Sequence, residues 1–161
     1  MDAAASDISA RESALAQLRA HIAAVSAPPL DEAEQTLVDA LGEKHRGSAI
    51  LFYGSGTSVA RLDDPASVVF DFYVIGDSYE TLYAAPQLRT KHRLIPPNVF
   101  YFETPSRFGT LRAKYAVLTL DHFEKLVSEQ TFHSYFWARF AQPCRIHAGD
   151  AAMTARLETA L

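Results

Sequence analysis

The spacing of apolar residues predicts two helices at the start of the chain. Four apolar side chains recur at steps of three and four residues, the spacing of one helical face: Leu15, Leu18, Ile22 and Val25. The first predicted helix therefore covers residues 8–25. The same periodicity returns over residues 31–42, with Asp31 as the expected N-cap. We expect both helices to precede the first strand.

Runs rich in apolar, β-branched and aromatic residues predict a sheet in the middle of the chain. Residues 49–53 and 68–75 are the clearest strands, and each run ends at a glycine. The other elements indicated by pattern are strands at 98–102, 111–120 and 144–146, and helices at 79–88 and 121–140, the last with Asp121 as its N-cap. The expected fold class is α/β, with a mixed sheet of four or five strands flanked by helices in a single domain over residues 1–161.

Composition limits the classes of function. Of 161 residues, 48% are hydrophobic and 21% are charged, and the formal net charge is −4. This balance is typical of a soluble globular protein and disfavours a broad nucleic-acid surface, which needs clustered Lys and Arg. The one cysteine, Cys144, has no internal partner, and no run approaches the roughly 20 apolar residues of a membrane helix. We expect a cytoplasmic protein with at most peripheral membrane contact.

A glycine turn is the first candidate for chemistry. The predicted strand at 49–53 leads into Gly54-Ser55-Gly56, where the backbone can approach a ligand and successive N–H groups can cradle phosphate oxygens. An ordinary glycine-rich turn is the alternative, and for the tripeptide alone it is the more frequent one.

A carboxylate in the next predicted strand favours the interpretation of the glycine turn as a phosphate-binding site. Asp71 lies between Phe70 and Phe72, where an unpaired acid is costly unless it reaches solvent, a cation or a donor. Mg²⁺ takes one or two carboxylates together with phosphate oxygens, so the glycine turn and Asp71 suit a triphosphate with Mg²⁺. The alternative is an Asp at a strand edge that pairs with a Lys or Arg.

Five segments in chain order resemble one family. They are Tyr53-Gly54-Ser55-Gly56, residues 70–74 with Asp77 beyond them, residues 99–101, residues 111–117 and residues 135–146. Together they resemble the nucleotidyltransferase core of the mitochondrial phosphatidate cytidylyltransferases, over residues 50–146. The resemblance implies a nucleotidyltransferase-type fold with its catalytic core at about 49–147, and a reaction in which CTP and phosphatidic acid, with Mg²⁺, give CDP-diacylglycerol and pyrophosphate.

The resemblance also implies roles for particular residues. Gly54, Ser55 and Gly56 would hold the β- and γ-phosphates. Asp71 would bind Mg²⁺, together with Asp77, and Lys114 would balance charge on the phosphates. Arg139 would hold a phosphate bidentately, or else is a solvated or ion-paired surface residue.

Two departures from the family pattern leave alternatives open. The wider superfamily has Asp-x-Asp on this strand, but the second position here is Tyr73, so a second metal would need another carboxylate: Asp77, Asp63, Asp64 or Glu103. Family members also continue into a further helical region, whereas this sequence ends at Leu161, which suggests a fragment or a shortened relative. The alternative functions are nucleotidyl transfer to a protein, RNA or small-molecule hydroxyl, and a nucleotide-binding module without catalysis.

Two further patterns are given structural interpretations. The basic segment around His92, residues 89–93, is interpreted as a solvated loop, with contact to an anionic headgroup or triphosphate as the alternative. Five aromatic residues at helical spacing are expected to pack in the core, with lipid contact as the alternative: Phe132, Tyr135, Phe136, Trp137 and Phe140.

Overall fold

The computed structural model describes residues 2–26, 29–54, 64–94, 97–132, 134–147 and 149–161. Its strands are β1 (Ala49–Tyr53), β2 (Val69–Gly76), β3 (Asn98–Ser106), β4 (Gly109–Thr119) and β5 (Cys144–His147). Its helices are α1 (Asp2–Ser26), α2 (Glu32–Lys44), α3 (Tyr79–Leu82), α4 (Pro86–Leu94), α5 (Leu120–Val127), α6 (Ser134–Phe140) and α7 (Ala151–Ala160). The predicted α/β class, with a mixed sheet flanked by helices, is confirmed.

The strands form one sheet in the order β3-β4-β2-β1-β5. β2 and β4 are parallel, and every other neighbouring pair is antiparallel. The amino-terminal halves of β2 and β4 therefore lie beside the carboxyl end of β1 at one end of the sheet. At the opposite end β2 and β4 continue into α3 and α5.

Alternation along the strands divides the core into two clusters. On one side, the α2 face, Phe52 and Phe72 pack with Leu37 and Leu41 of α2. On the other side, the α6 face, strand residues pack with side chains of α5, α6 and α7 in a cluster that contains Tyr53, Tyr73, Leu118, Phe123, Phe136, Phe140 and Leu157. Both faces are apolar where helices cover them, as expected for an α/β sheet.

The start of α2 matches its predicted N-cap. The Asp31 carboxylate accepts the Glu34 N–H at 2.8 Å, and the Glu34 carboxylate accepts the Asp31 N–H at 2.9 Å, which forms a capping box. Glu34 also accepts from Arg145 of β5 at 3.1 Å in a buried ion pair. Burial raises the pKa of Glu34, a rise that the guanidinium of Arg145 partly offsets. This pair joins α2 to the edge strand.

Two predicted helices are wrong because each is interrupted. Residues 79–88 do not form one helix, since α3 ends at an extended Tyr83 and Pro86 begins α4. Residues 121–140 form α5 and α6, which an extended Ser128 separates. The N-cap of α5 is Thr119 rather than Asp121. The helix α7 follows β5 and is an addition to the predicted elements.

The outer helices depart from other expectations. His92 lies on α4 and is buried, with its ring centroid 4.4 Å from that of Tyr83, so the prediction of a solvated loop was wrong. The predicted helix at the start of the chain is confirmed as α1, but Leu15 and Leu18 are 46% and 53% exposed. Across the ranges that the structure describes, no helix has both the length and the apolar character needed to cross a membrane.

Candidate functional site

The structure brings several predicted site residues together at one end of the sheet. Asp71 on β2 and Lys114 on β4 are register partners on neighbouring parallel strands. Because Phe52 of β1 pairs with Phe72 of β2, the next residue of β1, Tyr53, lies beside Asp71. Strand alternation places Tyr53, Asp71 and Lys114 on the α6 face.

The glycine turn leaves the sheet at this same position. Gly54 follows β1 with a φ of 91°, which glycine adopts without strain. Ser55 and Gly56, predicted to hold phosphates, lie outside the described residues, and so does Asp63. Their roles stay predictions, while Gly54 fixes where the turn begins relative to Asp71.

The site lies where the helices stop covering the α6 face. Tyr73 is buried under α6, whereas Asp71, two residues earlier on the same face, is exposed. Lys114 is exposed as well, and its β3 partner Tyr101 is 54% exposed. This open part of the sheet offers a carboxylate, an ammonium and an aromatic ring in one row across three strands.

The two charges in that row are not paired with each other. Register partners have Cα atoms about 4.8 Å apart, yet among the described residues no hydrogen bond or ion pair involves the carboxylate of Asp71 or the ammonium of Lys114. The predicted alternative of an Asp paired with a nearby cation is therefore not what this part of the structure contains. Both groups are open to a ligand.

Arg139 reaches the site from α6. Its guanidinium donates to the Tyr53 hydroxyl at 2.8 Å and lies over two rings, 5.1 Å from the centroid of Tyr53 and 4.7 Å from that of Tyr135. The residue is half-buried, so it is neither a solvated surface side chain nor, in the described ranges, part of an ion pair. Stacking and hydrogen bonding fix the position of its charge.

Tyr53 and Tyr73 affect the pKa of Arg139. Burial raises the pKa of Tyr53 and of Tyr73, so both phenols stay protonated at neutral pH. Burial alone would lower the pKa of Arg139, but its interactions with the phenols of Tyr53 and Tyr73 outweigh that effect and raise it. The result is one permanent cation beside two neutral phenols, of which Tyr53 accepts its hydrogen bond. Sequence reasoning missed these roles because each tyrosine also has the alternation of a core residue.

Asp77 does not share this site. It follows the last residue of β2, six positions after Asp71, which on an extended strand is about 20 Å away. One metal ion cannot bind both carboxylates across that distance. The two other described candidates are occupied: Asp64 caps a short 3-10 helix by accepting from Ala66 N–H, and Glu103 accepts from the Tyr101 hydroxyl at 2.9 Å.

The donor set fits a magnesium ion that is shared with phosphate oxygens. In the described part of the chain no three His, Cys, Asp or Glu side chains form a group that could hold a metal by themselves. Asp71 is one exposed hard-oxygen ligand beside a glycine turn, and Mg²⁺ is commonly bound by one or two carboxylates plus substrate phosphates. The residues therefore suit a metal that enters with a polyphosphate ligand.

The aromatic segment of α6 divides between the core and the surface. Phe136 and Phe140 are buried against the sheet, as expected for the core. Phe132, Tyr135 and Trp137 are 100%, 55% and 64% exposed, so the prediction that they pack in the core was wrong. An exposed aromatic surface thus lies on the same short segment as Arg139.

Comparisons with known proteins add no family to this geometry. No protein-family model matches the chain, and no curated protein matches it.

Proposed function

We propose that this chain is a Mg²⁺-dependent nucleotidyltransferase that binds a nucleoside triphosphate at the open end of the α6 face. The observation that carries the proposal is the convergence of one exposed carboxylate, Asp71, with two cations, Lys114 and Arg139, where β1 ends in a glycine turn. A magnesium triphosphate needs these partners: a carboxylate for the metal, and backbone N–H groups and cations for the phosphates.

For the nucleotide and the acceptor we propose CTP and phosphatidic acid, on the basis of the family resemblance. An oxygen of the lipid phosphate attacks the α-phosphorus of CTP, and the bond from that phosphorus to the β-phosphate oxygen breaks. Pyrophosphate leaves with the electron pair, and CDP-diacylglycerol is formed. Bound Mg²⁺ supplies charge neutralisation at the phosphate oxygens.

The protein's own residues then have distinct tasks. Asp71 would bind the Mg²⁺ that accompanies the triphosphate. Lys114, on the neighbouring strand, would offset the negative charge of the phosphates. Gly54, which follows β1, is the first of three residues proposed to hold the phosphates, and Ser55 and Gly56 come after it in the sequence. We further propose that Phe132 and Trp137, exposed on the segment that carries Arg139, meet the bilayer from which the lipid is drawn.

The decisive assay is pyrophosphate release from each of the four nucleoside triphosphates with Mg²⁺, with and without phosphatidic acid in mixed micelles. Release that requires both CTP and the lipid is the expected result. Release with another acceptor, such as a protein, RNA or small-molecule hydroxyl, would support the nucleotidyltransferase activity but refute phosphatidic acid as the acceptor. No release with any triphosphate and acceptor would overturn the proposed activity.

Matched variants tie the activity to the site. Asp71→Asn is expected to abolish turnover, whereas Asp39→Asn, the same change to an exposed carboxylate on α2, should leave it unchanged. Lys114→Ala should lower turnover by about 100-fold, as for loss of one preorganised charge, and Lys91→Ala on α4 is its control. Turnover that survives Asp71→Asn would remove the metal-ligand role.

One observation favours a second candidate, a nucleotide-binding module without catalysis. Tyr73 stands two residues after Asp71 where the superfamily pattern has a second acid, and in the described ranges no three His, Cys, Asp or Glu side chains form a metal-binding group. Triphosphate binding that depends on Asp71, without pyrophosphate release, is the result that this candidate predicts.

A further inference from the structure

Two residues after Asp71, where the nucleotidyltransferase pattern has a second Asp, this chain has Tyr73. Strand alternation puts Tyr73 on the same face as Asp71, so a carboxylate there would lie next to the first one and could share in binding a second metal ion. The phenol of Tyr73 instead interacts electrostatically with both Asp71 and Arg139. One carboxylate and one guanidinium therefore lie near this phenol.

The guanidinium of Arg139 is positioned before any ligand arrives. Its guanidinium donates to the Tyr53 hydroxyl at 2.8 Å, and the rings of Tyr53 and Tyr135 lie 5.1 and 4.7 Å from its central carbon. An arginine fixed in this way loses little side-chain entropy when it binds an anion.

The charge of this guanidinium is also not neutralised. In the described ranges no carboxylate lies within ion-pair distance of Arg139, although Arg93, Arg107, Arg112, Arg145 and Arg156 each form an ion pair. The Tyr53 hydroxyl holds the side chain without cancelling its charge, which an Asp or Glu in its place would do. The arrangement keeps a full positive charge available at the rim of the open sheet.

We propose that Arg139, positioned by its hydrogen bond to Tyr53 and near the phenol of Tyr73, takes the place of a second metal ion: it binds polyphosphate oxygens directly, and the site holds one divalent cation per chain. This inference deepens the proposed function and rests on it for the identity of the phosphate ligand. Arginine is suited to the role because its fork of donors binds phosphate bidentately and its charge does not depend on metal supply. Tyr53 and Tyr73 are positioning residues, since they act through Arg139.

The first test measures binding without metal or turnover. Inorganic pyrophosphate is titrated into the protein in EDTA by isothermal calorimetry. Arg139→Gln should weaken binding at least 10-fold, and Arg139→Lys should restore only part of it, because Lys keeps the charge but loses the fork. Arg46→Gln, at an exposed turn arginine, should bind as the wild type does. Equal binding by wild type and Arg139→Gln, or no binding by the wild type, would overturn the proposal.

The second test separates positioning from simple stability. Tyr53→Phe and Tyr73→Phe keep the packed rings and remove the hydroxyls, and we expect pyrophosphate binding to weaken by about 3- to 10-fold, the loss typical of one hydrogen bond. Thermal melting of the same samples shows whether they are folded at the assay temperature. Unchanged affinity in both folded variants would remove the two tyrosines from the proposal.

The third test counts metal ions. With Mn²⁺ and α,β-methylene-CTP, electron paramagnetic resonance should give one tightly bound Mn²⁺ per chain, and two would refute the replacement of a metal by Arg139. Failure of the proposed function gives a different result. If the protein binds pyrophosphate through Arg139 but releases none from any triphosphate, the proposed transferase activity is refuted, whereas the anion-binding role of Arg139 is supported.

Discussion

Replacing Gly76 with alanine is expected to destabilise the protein through a single steric contact. Gly76 is the last residue of β2, and a Cβ there would lie 2.7 Å from both Cγ and Cδ2 of Leu82 on α3. Real Cβ atoms do not approach carbon so closely, so Leu82 or the turn of α3 must move. Leu82 is buried in the cluster on the α2 face, where overpacking costs about 1–3 kcal/mol.

The chain offers a matched control for this substitution. Gly42 lies in α2, and a Cβ there would meet only Cδ1 of Ile50, at an ordinary 3.8 Å. Because glycine is a poor helix former, Gly42→Ala should raise the free energy of unfolding by about 0.5–1 kcal/mol. The same added methyl group is thus expected to have opposite effects at the two positions.

Urea denaturation followed by circular dichroism would measure both changes. For a chain of this length 1 kcal/mol corresponds to about 2–4 °C in Tm, so Gly76→Ala should melt roughly 2–12 °C lower than the wild type. Pyrophosphate affinity of the folded variant should be unchanged, because Asp71 lies toward the other end of β2. Equal stability of Gly76→Ala and wild type, or equal losses at both glycines, would refute the steric argument.

Three further predictions concern burial and charge. Phe140→Ala should lower the free energy of unfolding by about 3–5 kcal/mol in thermal melts, since Phe140 packs on Tyr53, Tyr73 and Phe123. Burial lowers the pKa of His45, His92 and His147 below the ordinary 6.5, so the unfolded chain binds protons first and the free energy of unfolding should fall as the pH drops below about 6.5. In urea titrations, His92→Phe should lose less stability between pH 7.5 and pH 5.5 than the wild type does. An identical loss of stability would show that His92 does not contribute to it. Burial raises the pKa of Cys144 to about 12, so iodoacetamide at pH 8 should modify it in urea and not in the folded protein, as mass spectrometry would show.

The strands β1 and β2 could be predicted because each is a short apolar run that ends near a glycine. β1 matches the predicted 49–53, and the predicted 68–75 differs from β2 by one residue at each end. β3 is longer than predicted, since residues 103–106 break the apolar and aromatic run but continue the pairing with β4. Pairing is a tertiary property, and a polar sequence on an open sheet face does not reveal it.

The helices were harder to predict because their interruptions depend on single residues. Pro86 marks the start of α4, and this signal was available in the sequence. The break after α5 has no proline or glycine, and the extended conformation of Ser128 that ends the helix cannot be read from periodicity. Thr119 rather than Asp121 caps α5, since both residue types cap well and only the end of β4 decides between them.

The candidate site was predictable residue by residue but not as an arrangement. Asp71 is conspicuous as an acid among aromatic residues, yet its nearness to Lys114 follows from the parallel pairing of β2 with β4, which periodicity does not give. Asp77 was predicted as a second ligand from the family resemblance, and it lies only six residues after Asp71 in the sequence. Six residues span about 20 Å along an extended strand but only about 9 Å along a helix, so the two carboxylates lie far apart.

The packing of α6 gives a physical reason for a tyrosine at position 73. Asp71 and Tyr73 share a face of one strand, but α6 leaves the first open to solvent and covers the second, which is 1% exposed and packs against Phe136 and Phe140. A carboxylate at 73 would be desolvated beneath those rings, and without a metal its burial would cost several kcal/mol. A phenol fills the same space, and it interacts favourably with the charge of Arg139. The helix that excludes a second acid from this face is therefore also the helix that supplies the cation.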